Sequence, residues 1–101
     1  MKVVKSIQDD TALLNVEGRV DTVTSPELED CVEGVLKEGI KNVMFDFEKV
    51  QYISSAGLRV LLGTQKKAKG FGGVVTVAKP NDEIMEIFEM TGFVDILDIQ
   101  R

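Results

Sequence analysis

Histidine and tryptophan are absent from this chain, cysteine and tyrosine occur once each, and proline occurs twice in 101 residues. Each shortage excludes something. Without histidine the commonest general base and the commonest metal ligand are both missing, so an enzyme built on this chain would have to rely on lysine or carboxylates. The single thiol, Cys31, cannot close an internal disulfide and has no second thiol with which to share a metal, which fits a reducing compartment and a packing role. Apolar runs are short, as at Val60–Leu62, against the roughly 20 residues that span a bilayer. Met1-Lys2-Val3-Val4-Lys5-Ser6 also lacks a signal-peptide apolar region. A cytoplasmic protein with no membrane insertion is expected. Positive charge is scarce as well: 12 lysines and arginines face 17 acids, for a net charge of −5. A surface of that sign repels phosphate backbones, so no direct nucleic-acid partner is expected.

What the chain does contain, 44% hydrophobic and 29% charged residues, suits one soluble domain over residues 1–101. Lys2–Ile7 and Thr11–Glu17 read as extended runs joined by the polar connector Gln8-Asp9-Asp10, an antiparallel hairpin. Ser25-Pro26-Glu27-Leu28 opens a helix, with Ser25 as N-cap and Pro26 at the first helical position. Leu28, Cys31, Val32, Val35 and Leu36 follow the helical period, and Gly39 closes it. Asn42–Phe47 alternates as a half-buried strand, with Val43, Phe45 and Phe47 on one face and Met44, Asp46 and Glu48 on the other. A second helix is expected from about Ala56 to Lys69, burying Leu58, Leu61, Leu62 and Ala68, with Val60 projecting away from that stripe. Gly70-Phe71-Gly72-Gly73 breaks it. Val74–Ala78 is a strand, Pro80-Asn81-Asp82 opens a third helix over Ile84, Ile87 and Phe88, and Ile96–Ile99 supplies a terminal strand. A hairpin followed by alternating helices and strands calls for an α/β fold, with a mostly parallel sheet and an antiparallel edge.

In open sheets of this kind sites lie beyond the carboxyl ends of the strands. Asp21, Asp46 and Ser54-Ser55 are placed to converge there. Tyr52-Ile53-Ser54-Ser55-Ala56-Gly57-Leu58 puts two hydroxyls between a strand and a helix start, where free N–H groups and the helix dipole favour negative charge. Such a serine is a cap, a nucleophile, a phosphate binder or a phosphorylation site. The nucleophile-elbow pattern fails, because Ile53 stands where glycine is required, and no histidine is available as base. A phosphate-binding loop fails too, since Gly70-Phe71-Gly72-Gly73 follows a helix and leads into a strand. Asp21 and Asp46 with Ser55 are few oxygen ligands for a dedicated cation site, and Asp21 alone suits an Asx turn. No catalytic residue, metal or cofactor is assigned. Gly63 at mid-helix costs about 1 kcal/mol relative to alanine; a closely approaching partner would explain both it and the off-stripe Val60, and so would Val60 tucked under a neighbouring element with Gly63 simply tolerated.

Gly18-Arg19-Val20-Asp21, Asp46, Ser54-Ser55-Ala56-Gly57-Leu58 and the closing Thr91-Gly92-Phe93-Val94-Asp95-Ile96-Leu97 occur in an order that resembles a STAS domain, specifically an anti-sigma factor antagonist. The resemblance covers nearly the whole chain. It implies a mixed sheet of four to five strands with an N-terminal antiparallel hairpin and three to four helices. It also implies partner switching: the unmodified protein binds an anti-sigma factor that is a serine kinase, phosphorylation breaks that complex, and a PP2C-type phosphatase restores it. Read across the motif, the phosphorylated residue is Ser55, with Ser54, where most members carry aspartate, as second choice. Ala56 cannot be modified. Partner contacts are expected at Asp21, Thr22, Val23, Ser54, Ser55, Ala56, Gly57, Arg59, Val60 and Gly63, with Asp21 and Asp46 near the phosphosite and Arg59, four residues on, pairing with the phosphate. A monomer is expected. The alternatives are a STAS subunit regulating a transporter ATPase or signalling scaffold, and a nucleotide-binding module.

Overall fold

The computed structural model describes residues 1–101. Strand β1 (Lys2–Gln8) runs antiparallel to β2 (Thr11–Val20), with Gln8 opposite Thr11. Asp9 and Asp10 therefore make the turn, Asp9 at φ 57, a region aspartate tolerates better than most side chains. There follow α1 (Ser25–Lys37), β3 (Asn42–Ile53), α2 (Ser55–Gly70), β4 (Val75–Ala78), α3 (Asp82–Thr91), a 3₁₀ turn at Phe93–Asp95, and β5 (Asp98–Gln100). The sheet has the order β1-β2-β3-β4-β5, and β2 to β5 are all parallel. Each parallel step moves to the next strand in the same direction through a helix, and right-handed crossovers then place all three helices on one face. The expected α/β mixed sheet is what forms, with five strands and three α-helices.

One face of the sheet is consequently the core, and the other is only partly covered. Leu14, Val16, Phe45, Phe47 and Val77 meet Leu28, Val35, Leu61, Ile84 and Phe88 in a fully buried core. Phe45 and Phe47 meet edge to face at 6.1 Å, and Phe88 stacks on Phe93 at 6.2 Å. Leu13, Asn15, Met44 and Asp46, on the other face, are half-buried. The terminal helix is capped as its sequence suggests, with the Asn81 side chain accepting the Ile84 N–H at 2.8 Å.

The structure corrects four expectations. The N-cap position of α1 falls on Thr24, and Ser25 is a buried residue inside the helix. The Ser25 N–H already donates to the Asp21 carbonyl at 2.8 Å, so the helical pattern starts one residue early. Strands β2 and β3 continue past Glu17 and Phe47, to Val20 and Ile53. Their ladder shifts register between Asn15 and Glu17 and again between Gly18 and Arg19, and along Phe47–Ile53 buried positions recur every third residue rather than every second. A period-two reading stops where such irregularities begin. The terminal strand lies at Asp98–Gln100, starting two residues later than expected and ending one later, because the 3₁₀ turn takes up the chain after Gly92. The buried stripe of α2 is not the expected one: Val60, read either as a partner contact or as tucked under a neighbouring element, is 6% exposed and belongs to the core. Helix α2 packs against α1 as well as the sheet, so its buried set is Gly57, Val60, Leu61, Thr64 and Ala68, while Leu58 and Leu62 are only half-buried.

Two glycines of α2 sit in opposite surroundings. A Cβ on Gly57 would come to 2.7 Å from Ile53 Cγ1 and 2.8 Å from Val20 Cγ1, whereas a Cβ on Gly63 would meet nothing within 4 Å. Gly57→Ala should therefore destabilise by about 1–3 kcal/mol through overpacking, and Gly63→Ala should stabilise by about 1 kcal/mol through helix propensity. Chemical denaturation of the two variants beside the parent chain checks both signs.

Candidate functional site

The backbone at the ends of β2 and β3 organises the site. Gly18 adopts φ 94, a conformation that suits glycine, at the second register shift of β2. The strand resumes beyond it, so that Arg19 pairs with Tyr52 and Val20 with Ile53. The Ser54 N–H then donates to the Val20 carbonyl at 2.8 Å. The β2–α1 turn and the β3–α2 junction are thus joined through the backbone at one end of the sheet.

The turn is held by Asp21. Its Oδ1 accepts the Val23 N–H at 3.0 Å, the Thr24 N–H at 3.1 Å and the Thr24 hydroxyl at 3.2 Å. Thr24 Oγ1 in turn accepts the Asp21 N–H at 2.9 Å, and its one proton is shared between Asp21 Oδ1 and the Arg19 carbonyl, the latter at 2.9 Å, so the hydroxyl is not free to cap α1. The Thr24 backbone N–H is the chief cause holding the Asp21 carboxyl below its ordinary value, with the Thr24 hydroxyl, the Val23 N–H and Arg19 acting in the same direction against partial desolvation. Beyond Asp21 the turn is solvated: Thr22 is exposed and Val23 is 86% exposed.

At the junction the two serines divide their work. Ser54, with extended backbone, occupies the N-cap of α2, and its hydroxyl accepts the Gly57 N–H at 3.4 Å. Ser55 is the first residue of the helix and is exposed. One hydroxyl is used by the fold and the other faces water beside free helix N–H groups, an environment suited to added negative charge. Ala56 is half-buried between them and the buried Gly57.

Of the residues expected to form the site, Asp21, Thr22, Val23, Ser54, Ser55 and Ala56 do come to this end of the sheet. Gly57 comes with them, but as a packing residue under the helix start rather than a surface one. Val60 does not offer its side chain to a partner, because it is buried. Asp46 is not near Ser55: it stands mid-way along β3, opposite Asn15 and Ala78, with its Oδ1 accepting the Glu48 N–H at 3.0 Å. The rest of β3, roughly 20 Å of strand, separates it from the junction. Asp21, Asp46 and Ser55 therefore cannot share a cation. Arg59 is exposed, and it lines a shallow groove between α1 and α2 with Glu29, Glu33, Gly63 and Lys67. Of the two carboxylates there, Glu33 is paired with Lys67 at 3.5 Å. Cys31 is half-buried, and desolvation pushes its thiol above the ordinary value, as befits a packed rather than a reactive thiol. No helix is long and apolar enough to cross a membrane.

Two residues of this neighbourhood were missed from sequence. The Arg19 guanidinium lies over the Tyr52 ring, 4.5 Å from its centroid, and Arg19 Nε is 3.8 Å from Asp21 Oδ2. Their pairing depends on the irregular part of the β2–β3 ladder, so no periodic pattern connects them.

Ser54→Ala should lower stability by about 0.5–1 kcal/mol through loss of the cap, whereas Ser55→Ala should change it by no more than about 0.5 kcal/mol; urea titrations separate the two. For Asp21 the sign follows from its lowered folded value. Its contribution is complete above the ordinary carboxylate value of 3.8 and is lost as pH falls through the folded value below it. Asp21→Asn should therefore weaken the fold at neutral pH and flatten its acid limb below about pH 4, as thermal melts across pH 2–7 would show.

The fold has counterparts among known proteins. The family model of the STAS domain matches residues 2–101. An anti-sigma-B factor antagonist of Staphylococcus aureus is 27% identical over 101 residues, covering 100% of this chain and 94% of its own. Among solved structures, an anti-sigma factor antagonist from Mycobacterium paratuberculosis superposes with a TM-score of 0.81 at 24% identity, covering 98% of this chain and 84% of its own. The phosphorylated form of the Bacillus cell fate determinant SpoIIAA gives 0.80 at 14% identity, covering 99% and 92%. With the family model matching from the first strand to the final residue, the chain belongs to the STAS domain family.

Proposed function

We propose that this protein is an anti-sigma factor antagonist whose binding is switched by phosphorylation of Ser55. In the unmodified state the solvated turn Asp21–Val23, the Ser54–Ala56 junction and the exposed flank of α2 dock an anti-sigma factor that is also a serine kinase, and the sigma factor is released. The kinase transfers the γ-phosphoryl group of ATP to Ser55 Oγ. The hydroxyl proton and ADP leave, and a monoester carrying about −1.5 to −2 charges remains. A PP2C-type phosphatase hydrolyses that ester and returns the serine.

The observation that carries this reading is the division of labour between the hydroxyls: Ser54 caps α2 while Ser55, one residue later, is exposed in its first turn. A phosphate there gains from the helix dipole and the first-turn N–H groups and removes no contact on which the fold relies. The domain stays folded while the charge of its docking face changes. The relative's name as an anti-sigma-B factor antagonist and the existence of a phosphorylated state in a structural counterpart support the same reading.

The test is phosphosite mapping by intact and tandem mass spectrometry after incubation with ATP and the anti-sigma kinase of the same genome. A single phosphate is expected on the parent and on Ser54→Ala, and none on Ser55→Ala. A kinase that binds the chain yet modifies neither serine would overturn the switch and bring regulation of a transporter ATPase or a signalling scaffold forward.

A further inference from the structure

Arg19 is the one basic residue in the two segments that meet at the site, 18–24 and 52–58. Its charge is largely unspent. The only ion contact it makes is Nε to Asp21 Oδ2 at 3.8 Å, beyond hydrogen-bond range, and its side chain is 61% exposed. The face of the guanidinium is nevertheless fixed, since it lies over the Tyr52 ring at 4.5 Å and such stacking orients a cation. Asp21 has the opposite character. Its Oδ1 accepts three hydrogen bonds, which hold it in the turn, while Oδ2 has Arg19 as its ion partner. Ser55 begins α2 directly after Ser54, whose N–H is bonded to Val20, the residue between Arg19 and Asp21.

From this geometry we infer that Arg19 is the phosphate-responsive residue of the site: a phosphoryl group on Ser55 draws the Arg19 guanidinium from Asp21 and Tyr52 into a charge-assisted pair. The inference rests on the reading of Ser55 as the modified residue. Its physical basis is a competition. Asp21 is a monoanion whose Oδ2 stands 3.8 Å from Nε without a hydrogen bond, whereas a phosphomonoester offers about two charges and three acceptor oxygens to a planar fork. Without Arg19 the new dianion would face the Asp21 carboxylate with no counter-charge from either segment. Arg59, the neighbouring cation on α2, is set in the groove beside Glu29 and Glu33. Release of Arg19 uncovers the Tyr52 ring and leaves Asp21 Oδ2 without its ion partner, while the hydrogen bonds to Oδ1 keep the turn, so one covalent event changes shape and charge on the docking face.

The chain carries its own reporter, because Tyr52 is its only tyrosine and there is no tryptophan. The full chain with phosphoserine installed at position 55 during synthesis, and the same chain with serine there, would be prepared as parent, Arg19→Gln and Arg59→Gln. The expected result is a change in Tyr52 emission on phosphorylation in the parent and in Arg59→Gln, and none in Arg19→Gln. In phosphorus NMR titrations the second phosphoserine pKa, about 6 when unperturbed, should rise by about half a unit or more when Arg19 is replaced and stay put when Arg59 is replaced. Equal pKa values and equal emission changes in the parent and Arg19→Gln, or a shift produced by Arg59→Gln alone, would overturn the assignment. Because no kinase is needed to install the phosphate, failure here leaves partner switching standing, and failure of the kinase to modify Ser55 leaves this result readable.

Discussion

The parallel pairing of β2 with β3 is the interaction on which the rest depends. It forms the centre of the sheet, carries Leu14, Val16, Phe45 and Phe47 into the core, and runs on through two irregularities until Val20 lies beside Ile53. The final backbone bond from Ser54 to Val20 ties the start of α2 to the start of the β2–α1 turn. Everything proposed for the site requires those two loops to be held together, and main-chain hydrogen bonds do this independently of the side chains that vary at the surface.

Rigidity and availability are divided among neighbours in this arrangement. Asp21, Thr24, Ser54 and Gly57 spend their polar groups or their lack of a side chain on local structure, through an Asx-type turn, a cap and a close helix–sheet approach. Thr22, Val23, Ser55 and Arg19 stand between or beside them, exposed. A site made this way tolerates a change of charge at Ser55, because the groups that determine the backbone are not the groups that meet a partner. It also accounts for the serine at position 54: the position needs a side-chain oxygen to cap the helix, which serine or aspartate equally provides.

Much of the architecture was legible in the residue pattern. The helical spacing Leu28, Cys31, Val32, Val35, Leu36 and the alternation Val43, Phe45, Phe47 reflect burial against one face, and Pro26, Gly39 and Asn81 mark helix ends through their backbone preferences. What was not legible shares one cause. Asp46 read as a strand end because alternation stops after Phe47, yet the strand continues through bulges. Val60 lies off the stripe assumed for α2 and read equally as a partner contact or as tucked under a neighbour, and only the contact of that helix with α1 decides for burial. The pairing of Arg19 with Tyr52 joins residues far apart in sequence whose register follows an irregular ladder.

Composition and local pattern by themselves determined the α/β class, the order of elements, the lack of histidine-based chemistry and the placing of two hydroxyls at a helix start, because these depend on each residue's own preferences and on the periodicity of its neighbours. Only the tertiary structure decided which serine caps and which is exposed, which glycine is packed and which is open, and which arginine stands at the strand end. Those outcomes turn on register and on distances between segments remote in the chain, and hydrogen bonds such as that from Ser54 to Val20 exist only once the sheet has formed.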